Sequence, residues 1–269
     1  MGYQNLEVTR AGHVATLWLN RPEKLNALSD DMWEDIPHAV ADLDEDEEVR
    51  VIVLAGRGGA FTVGIDVDLL AGLQPSGSSP AKGNFHIYTE IKRLQGTVNC
   101  LAETAKPVIA AIHGYCLGAG ANLISGCDIR LASADAVFSI RETRMGLVAD
   151  IGALQRLPGI VGNGVTAEMA MTGADYPATW ALERSLVSRV FDDPEALMAG
   201  AGQLAEEIAS NSPLVTQGIK RILQANDGRT IDQALDYMAQ WNSSFLISND
   251  LMEAINAFTE KRDPNFTGT

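Results

Sequence analysis

The segment Lys106–Leu123, KPVIAAIHGYCLGAGANL, decides how the chain is read. Lys106-Pro107 opens an apolar run, VIAAIHG, that fits a buried strand and ends in a glycine-rich turn. Ala121–Cys127 then fits a short buried helix, and Ile129–Ala132 a further strand. Upstream, Val49–Leu54 is a second buried strand broken by GRGGAF. Strands that alternate with helices, each strand ending in a glycine loop, imply an α/β fold.

Working outward, Leu6–Thr9 and His13–Leu19 are short β-branched segments parted by Ala11-Gly12, which predicts a hairpin. The stretch NRPEKLNALS that follows reads as a loop. Ser29 is placed to cap a helix carrying Met32, Trp33, Ile36 and Val40 at helical spacing. Asp66–Asn84 contains QPSGSSPAKGN, which predicts a flexible connection that orders around ligand, with a helix from about Ile87 to Thr104 beyond it. From about Gly164 strands become scarce. Ala196–Ser210, Pro213–Ala225, Ile231–Trp241 and Asn249–Thr259 show helical apolar spacing. The expected organisation is an α/β core over residues 1–200 and a helical region over 201–269, with no fixed-period repeat.

The 269 residues are 46% hydrophobic and 20% charged, which is ordinary for a globular protein. A formal net charge of −15 argues against nucleic acid or an anionic membrane as a general partner. Much of that charge lies in one run, Asp42, Asp44, Glu45, Asp46, Glu47 and Glu48, read as a solvated helix end. No apolar run approaches the ~18 residues of a membrane span. MGYQNLEVTRAGHVATL carries neither a signal-peptide nor a transit pattern, the final TGT is not a peroxisomal address, and three unpaired-looking cysteines fit a reducing compartment; the expected location is cytoplasmic.

The glycine clusters do not make a nucleotide site. Gly118-Ala119-Gly120 follows a strand and opens a helix, but the third glycine of a dinucleotide fingerprint would fall at Leu123. Gly162-Asn163-Gly164 lacks a preceding strand, and no phosphate-loop motif occurs. His13, His38, His86 and His113 form no zinc pattern, so no metal is expected. No G-x-S-x-G motif supports a hydrolase. Cys116, in the glycine turn, reads as a small buried hydrophobe, since no histidine motif accompanies it.

Chemistry points instead to Phe138–Leu157, FSIRETRMGLVADIGALQRL, which carries Glu142 and Asp150 just downstream of the turn His113–Asn122. A glycine turn can aim backbone N–H groups at a developing oxyanion, while two carboxyl groups move a proton. That is equipment for proton abstraction beside a carbonyl. The bland alternatives are a salt bridge from Glu142 to Arg141 or Arg144 and a helix N-cap for Asp150.

Five segments, LNRPEKLNALS (Leu19–Ser29), GGAFTVGIDV (Gly58–Val67), Lys106–Leu123, Phe138–Leu157 and AFTEKRDPNF (Ala257–Phe266), together resemble the crotonase, or enoyl-CoA hydratase/isomerase, superfamily, in family order. The resemblance implies a spiral of ββα turns, two near-perpendicular sheets and a helical C-terminal region used in assembly as a homotrimer or homohexamer. It implies an acyl-CoA thioester substrate, no cofactor beyond the coenzyme A of the substrate itself, and an oxyanion hole from the main-chain N–H groups of Ile65 and Ala119. By the same resemblance Lys24, Ala27, Leu28, Ala60, Phe61, Asp66, Gly118, Phe258 and Lys261 bind substrate or coenzyme, the last helix reaching it from a neighbouring subunit.

The acid/base set separates the family's branches. Hydratases of this type use two glutamates; the first position here is Asn122, which cannot exchange a catalytic proton near neutral pH, and the second is Glu142. Asp150 stands where hydratases usually have glycine. RETRMGLVADIGALQRLPGIVGN is similar to the Δ3,5-Δ2,4-dienoyl-CoA isomerases, which pair a Glu and an Asp at these positions and usually hold Asp where this chain has Asn122. A 3,5-dienoyl thioester must lose a proton at C2 and gain one at C6. The resemblance implies Glu142 at one carbon and Asp150 at the other, in either order, with Asn122 hydrogen bonded to Glu142 or to the dienolate. The competing expectations are an enoyl-CoA hydratase, a lyase using the same two acids, and a non-catalytic acyl-CoA-binding or RNA-associated scaffold. Leu69, Leu70, Leu73, Met145, Leu147 and Val148 are candidates for the acyl pocket, while Trp241 and Phe245 read as packing.

Overall fold

The structure, a computed structural model, describes residues 3–72 and 75–269. Its larger sheet has six strands, β1 (Leu6–Ala11), β2 (Val14–Leu19), β3 (Val51–Gly56), β4 (Val108–Ile112), β6 (Ile129–Ser133) and β9 (Arg189–Phe191), adjacent in that order. β1 and β2 form the expected hairpin, Ala11 opposite Val14; every later pairing in this sheet is parallel. A smaller sheet holds β5 (Tyr115–Leu117), β7 (Val137–Ser139) and β8 (Tyr176–Pro177).

The apolar runs of β3 and β4 are explained by cover on both faces. Side chains alternate along a strand, so Ile52, Leu54, Val108, Ala110 and Ile112 enter the main core with Trp33, Leu17 and Phe61. Val51, Val53, Ala55, Ile109 and Ala111 face the opposite way, into a second cluster with Leu197, Ala201, Ala205 and Ala209. Those four residues form one stripe of α8 (Pro194–Ala209), whose small side chains let the helix lie close on the sheet. Residue 200 therefore falls inside a core helix, and the peripheral helical region begins with α9 (Pro213–Ala225), followed by α10 (Ile231–Phe245) and α11 (Asn249–Glu260).

The chain climbs in repeated turns. β4 runs into β5 and then into the short helix α4 (Ala119–Ser125); β6 runs into β7, a 3-10 turn at Glu142–Met145 and α5 (Ala153–Val161). The turn after β3 makes the same move with one residue, Thr62, which bridges Cys116, and Cys116 in turn pairs with Phe138. Three successive exits from the smaller sheet are thus stacked, which is the spiral of ββα turns implied by the family resemblance.

Two expectations shift. The helix expected from Ile87 begins at Pro80: α3 spans Pro80–Glu103, opened by Ser79, whose hydroxyl accepts from the Lys82 N–H. Val67–Gly72 forms a further short helix, α2, in the stretch read as a flexible connection. Ser29 occupies the N-cap position of α1 (Asp30–Glu45), but its buried hydroxyl bonds nothing, so backbone geometry and the apolar face start that helix.

α9 is fastened to the core by a buried cation. Lys220, 6% exposed, donates to the Leu101 and Lys106 carbonyls, each at 3.0 Å, and pairs with Asp128 at 2.9 Å. Lys220→Met should lower the unfolding free energy by roughly 1–3 kcal/mol, because it leaves two carbonyls without their donor, while the exposed Asp128 carboxylate keeps the Val108 N–H. A urea denaturation curve with an unchanged midpoint would count against this anchoring.

Candidate active site

The three stacked exits bring the predicted chemistry to one place. Gly64 follows the first, Gly118 the second and Glu142 the third. At Gly64, φ is +99° and an added Cβ would lie 2.8 Å from the Leu117 carbonyl oxygen and 3.4 Å from the Ala119 nitrogen, so only glycine allows the two loops to touch. Gly118 has φ +52° and ψ −112°, a conformation side chains rarely adopt, and it turns Ala119 into the first position of α4.

Two peptide N–H groups are freed by this geometry. Leu28 bridges Ile65 in parallel fashion: the Leu28 N–H donates to the Gly64 carbonyl at 2.8 Å and the Asp66 N–H to the Leu28 carbonyl at 3.0 Å. Donors alternate along extended backbone, so the Ile65 N–H points away from Leu28. The Ala119 N–H is free because a first-turn helical N–H has no intrahelical acceptor. Among the described residues neither donor has a partner.

Ile65 and Ala119 line a cavity of about 600 Å³ together with Gly118, Arg141, Glu142 and Asp150. Apart from Glu90, its remaining wall is apolar: Leu70, Met145, Leu147 and Val148, as expected, and also Ile87, Ile91 and Leu94. The last three repeat at four and three residues along α3, a stripe missed because that helix was expected to start at Ile87 itself. Leu69 packs against the main core instead, and Leu73 lies outside the described residues.

Glu142 makes no ion pair among the described residues. Arg141 pairs with Asp175 at 2.7 Å, and the Arg144 side chain packs against Gly173. One Glu142 oxygen, Oε1, accepts from Asn122 Nδ2 at 3.0 Å; the other, Oε2, is buried without a partner. Burial pushes the Glu142 carboxyl above the usual carboxylate range, with Asn122 opposing the rise and the nearby Asp150 adding to it. Burial also raises Asp150, though this side chain reaches solvent. Asp150 is not an N-cap: Gly152 holds that position for α5, and the Asp150 carbonyl accepts from Gln95 of α3 at 2.7 Å.

Several expected contacts are redistributed. Leu28, Ala60 and Phe61 are wholly buried, their side chains sitting in the core or under the loop. Asp66 is not free for substrate: its carboxylate accepts from Arg21 at 2.5 Å and from the Asp68 N–H at 3.0 Å, and Arg21 holds it below the usual range. Lys24 is exposed at the end of a 3-10 turn, and Ala27 is half-buried with its carbonyl accepting from Arg21. Phe258 and Lys261 do not line the cavity; Phe258 is 87% exposed on α11. Cys116 is fully buried and its thiol is pushed up by that burial, which rules out a resting thiolate nucleophile.

Sequence reasoning missed Asn26. Its side chain accepts from the Arg21 N–H at 2.8 Å and donates to the Arg57 and Ala60 carbonyls at 2.8 and 2.7 Å, while its own carbonyl accepts from Thr62. One wholly buried amide thereby ties the loop after β2 to the loop that presents Ile65.

A family model described as enoyl-CoA hydratase/isomerase matches residues 9–269. The chain belongs to the enoyl-CoA hydratase/isomerase family. It is 42% identical over 270 residues to the peroxisomal Delta(3,5)-Delta(2,4)-dienoyl-CoA isomerase of Arabidopsis thaliana, covering 98% of this chain and 97% of that one. It is 41% identical over 265 residues to the mitochondrial enzyme of the same name from Mus musculus, covering 97% and 81%. Among solved structures of the family, an enoyl-CoA hydratase from Bacillus anthracis superposes with a TM-score of 0.91 at 29% identity, covering 99% of this chain and all of that one. The organelle names of the two isomerases overturn the cytoplasmic expectation, which rested on terminal patterns and cysteine usage. Among the described residues no helix is long and apolar enough to cross a membrane, and no cluster of His, Cys, Asp and Glu could hold a metal ion.

Asn26→Ala should cost roughly 2 kcal/mol or more of stability, since it leaves two carbonyls and one N–H unpaired. An unchanged thermal midpoint would contradict the role given to this amide.

Proposed function

We propose that this family member shifts the double bonds of a 3,5-dienoyl-CoA to the 2,4-dienoyl-CoA. The observation that carries the reading is the composition of the cavity wall. Two separate carboxyl groups, Glu142 and Asp150, face one apolar slot with the free N–H groups of Ile65 and Ala119, and an amide stands where a second hydratase glutamate would be needed. The isomerase names of relatives at 41 and 42% identity support it.

In this mechanism the thioester oxygen accepts from the Ile65 and Ala119 N–H groups. Glu142 removes a proton from C2, the C–H electron pair entering a dienolate whose charge reaches from the thioester oxygen to C6. Asp150 gives its proton to C6, and the electron pair of the dienolate forms the new C–H bond. The Asn122 N–H favours the charged form of Glu142, which is the form that takes the C2 proton. Solvent at Asp150 then restores both groups. One hydrogen-bond donor of this kind typically contributes about 10² to 10³ in rate. No cofactor is used; coenzyme A is the handle of the substrate, with Lys24 beside its phosphates.

The proposed working form is a trimer or a pair of trimers. α9 to α11 expose a run of large apolar side chains, among them Ile219, Leu223, Leu235, Phe245 and Ile255, which self-association would cover. A neighbouring α11 would bring Phe258 and Lys261 to the coenzyme. Light scattering should give a mass three or six times the 28.8 kDa of one chain, and a monomer would remove this part of the proposal.

The deciding assay sets 3,5-octadienoyl-CoA beside crotonyl-CoA. Growth of the 2,4-dienoyl absorbance, with crotonyl-CoA left intact, is the expected result; hydration without isomerisation would make the protein a hydratase. Glu142→Gln should lower kcat by about 10³ or more with KM little changed. Because Glu142 must be ionised and Asp150 protonated, kcat/KM should be bell-shaped. Its acid limb should lie above the usual carboxylate range of about 4, since burial raises both groups.

A further inference from the structure

The amide of Asn122 has both its N–H donors and its carbonyl oxygen engaged. Its Oδ1 accepts from the Ala153 N–H at 2.6 Å, while Nδ2 donates to the Gly118 carbonyl at 3.2 Å and to Glu142 Oε1 at 3.0 Å. The side chain is wholly buried, so water cannot substitute for any of these partners. Its orientation is fixed by chemistry: Ala153 offers only a donor and Gly118 only an acceptor, which places oxygen toward α5 and nitrogen toward Glu142.

We propose that Asn122 is a positioning residue that holds Glu142 as the carboxylate and leaves Oε2 as its single proton-accepting atom. An N–H donor at Oε1 cannot accept a hydrogen bond from a proton placed there, so any proton taken up by Glu142 must sit on Oε2. That oxygen is the one with no partner, lying against Gly118 at the oxyanion turn. An aspartate in place of Asn122 would accept from Ala153 in the same way but could reach Glu142 only by carrying a proton itself, so two acids would share that proton. The amide therefore gives this chain a fixed acceptor where a carboxyl group would give a coupled pair.

The other charges around Glu142 do not fill this role. Asp150 and Glu90 line the same cavity, Glu90 being paired with Arg93. Arg141 is paired with Asp175, and Arg156 of α5 donates to Asn99. Arg144 packs on Gly173, and Glu168 of α6 (Asn163–Thr172) is exposed. No cation among the described residues pairs with Glu142; its charged form is favoured by its own backbone N–H and by the Asn122 amide, the one side chain that donates to it.

This inference deepens the proposed reaction, but its test does not need turnover. Infrared difference titration of the free protein, with Glu142→Gln as the blank, reads the Glu142 carboxyl directly. Asn122→Asp should move its midpoint upward by about one pH unit or more, through an added like charge and a lost donor. Asn122→Ala should move it upward by less, and serves if the aspartate variant does not fold. Where 3,5-octadienoyl-CoA is turned over, the acid limb of kcat/KM should move with the titration. A Glu142 midpoint unchanged in both variants, with only thermal stability lowered, would overturn the proposal. A moved midpoint in a protein that does not isomerise dienoyl-CoA would uphold it and reject the reaction.

Discussion

The site depends on two peptide N–H groups that the fold declines to pair. A backbone donor left without an acceptor costs on the order of 1–3 kcal/mol where water is excluded, and almost every other N–H in a folded chain avoids that cost. Here the exceptions are built by ordinary means: a parallel bridge that turns Ile65 outward, and a helix start that leaves Ala119 free. What keeps them unpaired is the rigidity of their surroundings. Asn26, Thr62 and the Arg21–Asp66 pair hold the first loop by bonds that use up the competing acceptors. Gly64 removes the side chain that would hold the second loop away.

The same frame accounts for the acids. Each ββα turn leaves the smaller sheet at the same end of its parallel strands, so residues that are far apart in sequence emerge side by side. Glu142 lies at the third exit as Ile65 and Ala119 lie at the first and second. Burial raises its affinity for protons, and the Asn122 amide works in the opposite direction. A base at neutral pH needs both: enough desolvation to be strong, and enough hydrogen bonding to remain charged.

Much of this was legible in the chain. The apolar runs at Val51 and Val108 announced strands covered on both faces, and the C-terminal helices followed their periodicity, with Pro213–Ala225 found where its pattern put it. That Glu142, Asp150 and the glycine turn meet at one cavity was legible because they lie in two neighbouring motifs. The roles of Asn26 and Asp66 were not, since both depend on partners in loops that only folding brings together. The burial of Phe61 was not legible either, since the resemblance that placed it by the coenzyme says nothing of how its ring packs. The start of α3 was hidden by QPSGSSPAKGN, whose composition favours a loop although Ser79 and Pro80 supply a helix start.

The bridge between Leu28 and Ile65 has a consequence for how such a chain can vary over generations. Along extended backbone the direction of the N–H reverses at every residue, so the donor at Ile65 is set by counting and not by side-chain identity. Substitutions at Val63 or Ile65 alter the lining of the slot and leave the donor in place. Inserting or deleting one residue between Thr62 and Asp66 would turn a carbonyl oxygen toward the cavity in place of this donor. Lineages descended from this loop are free to change its letters but not its length.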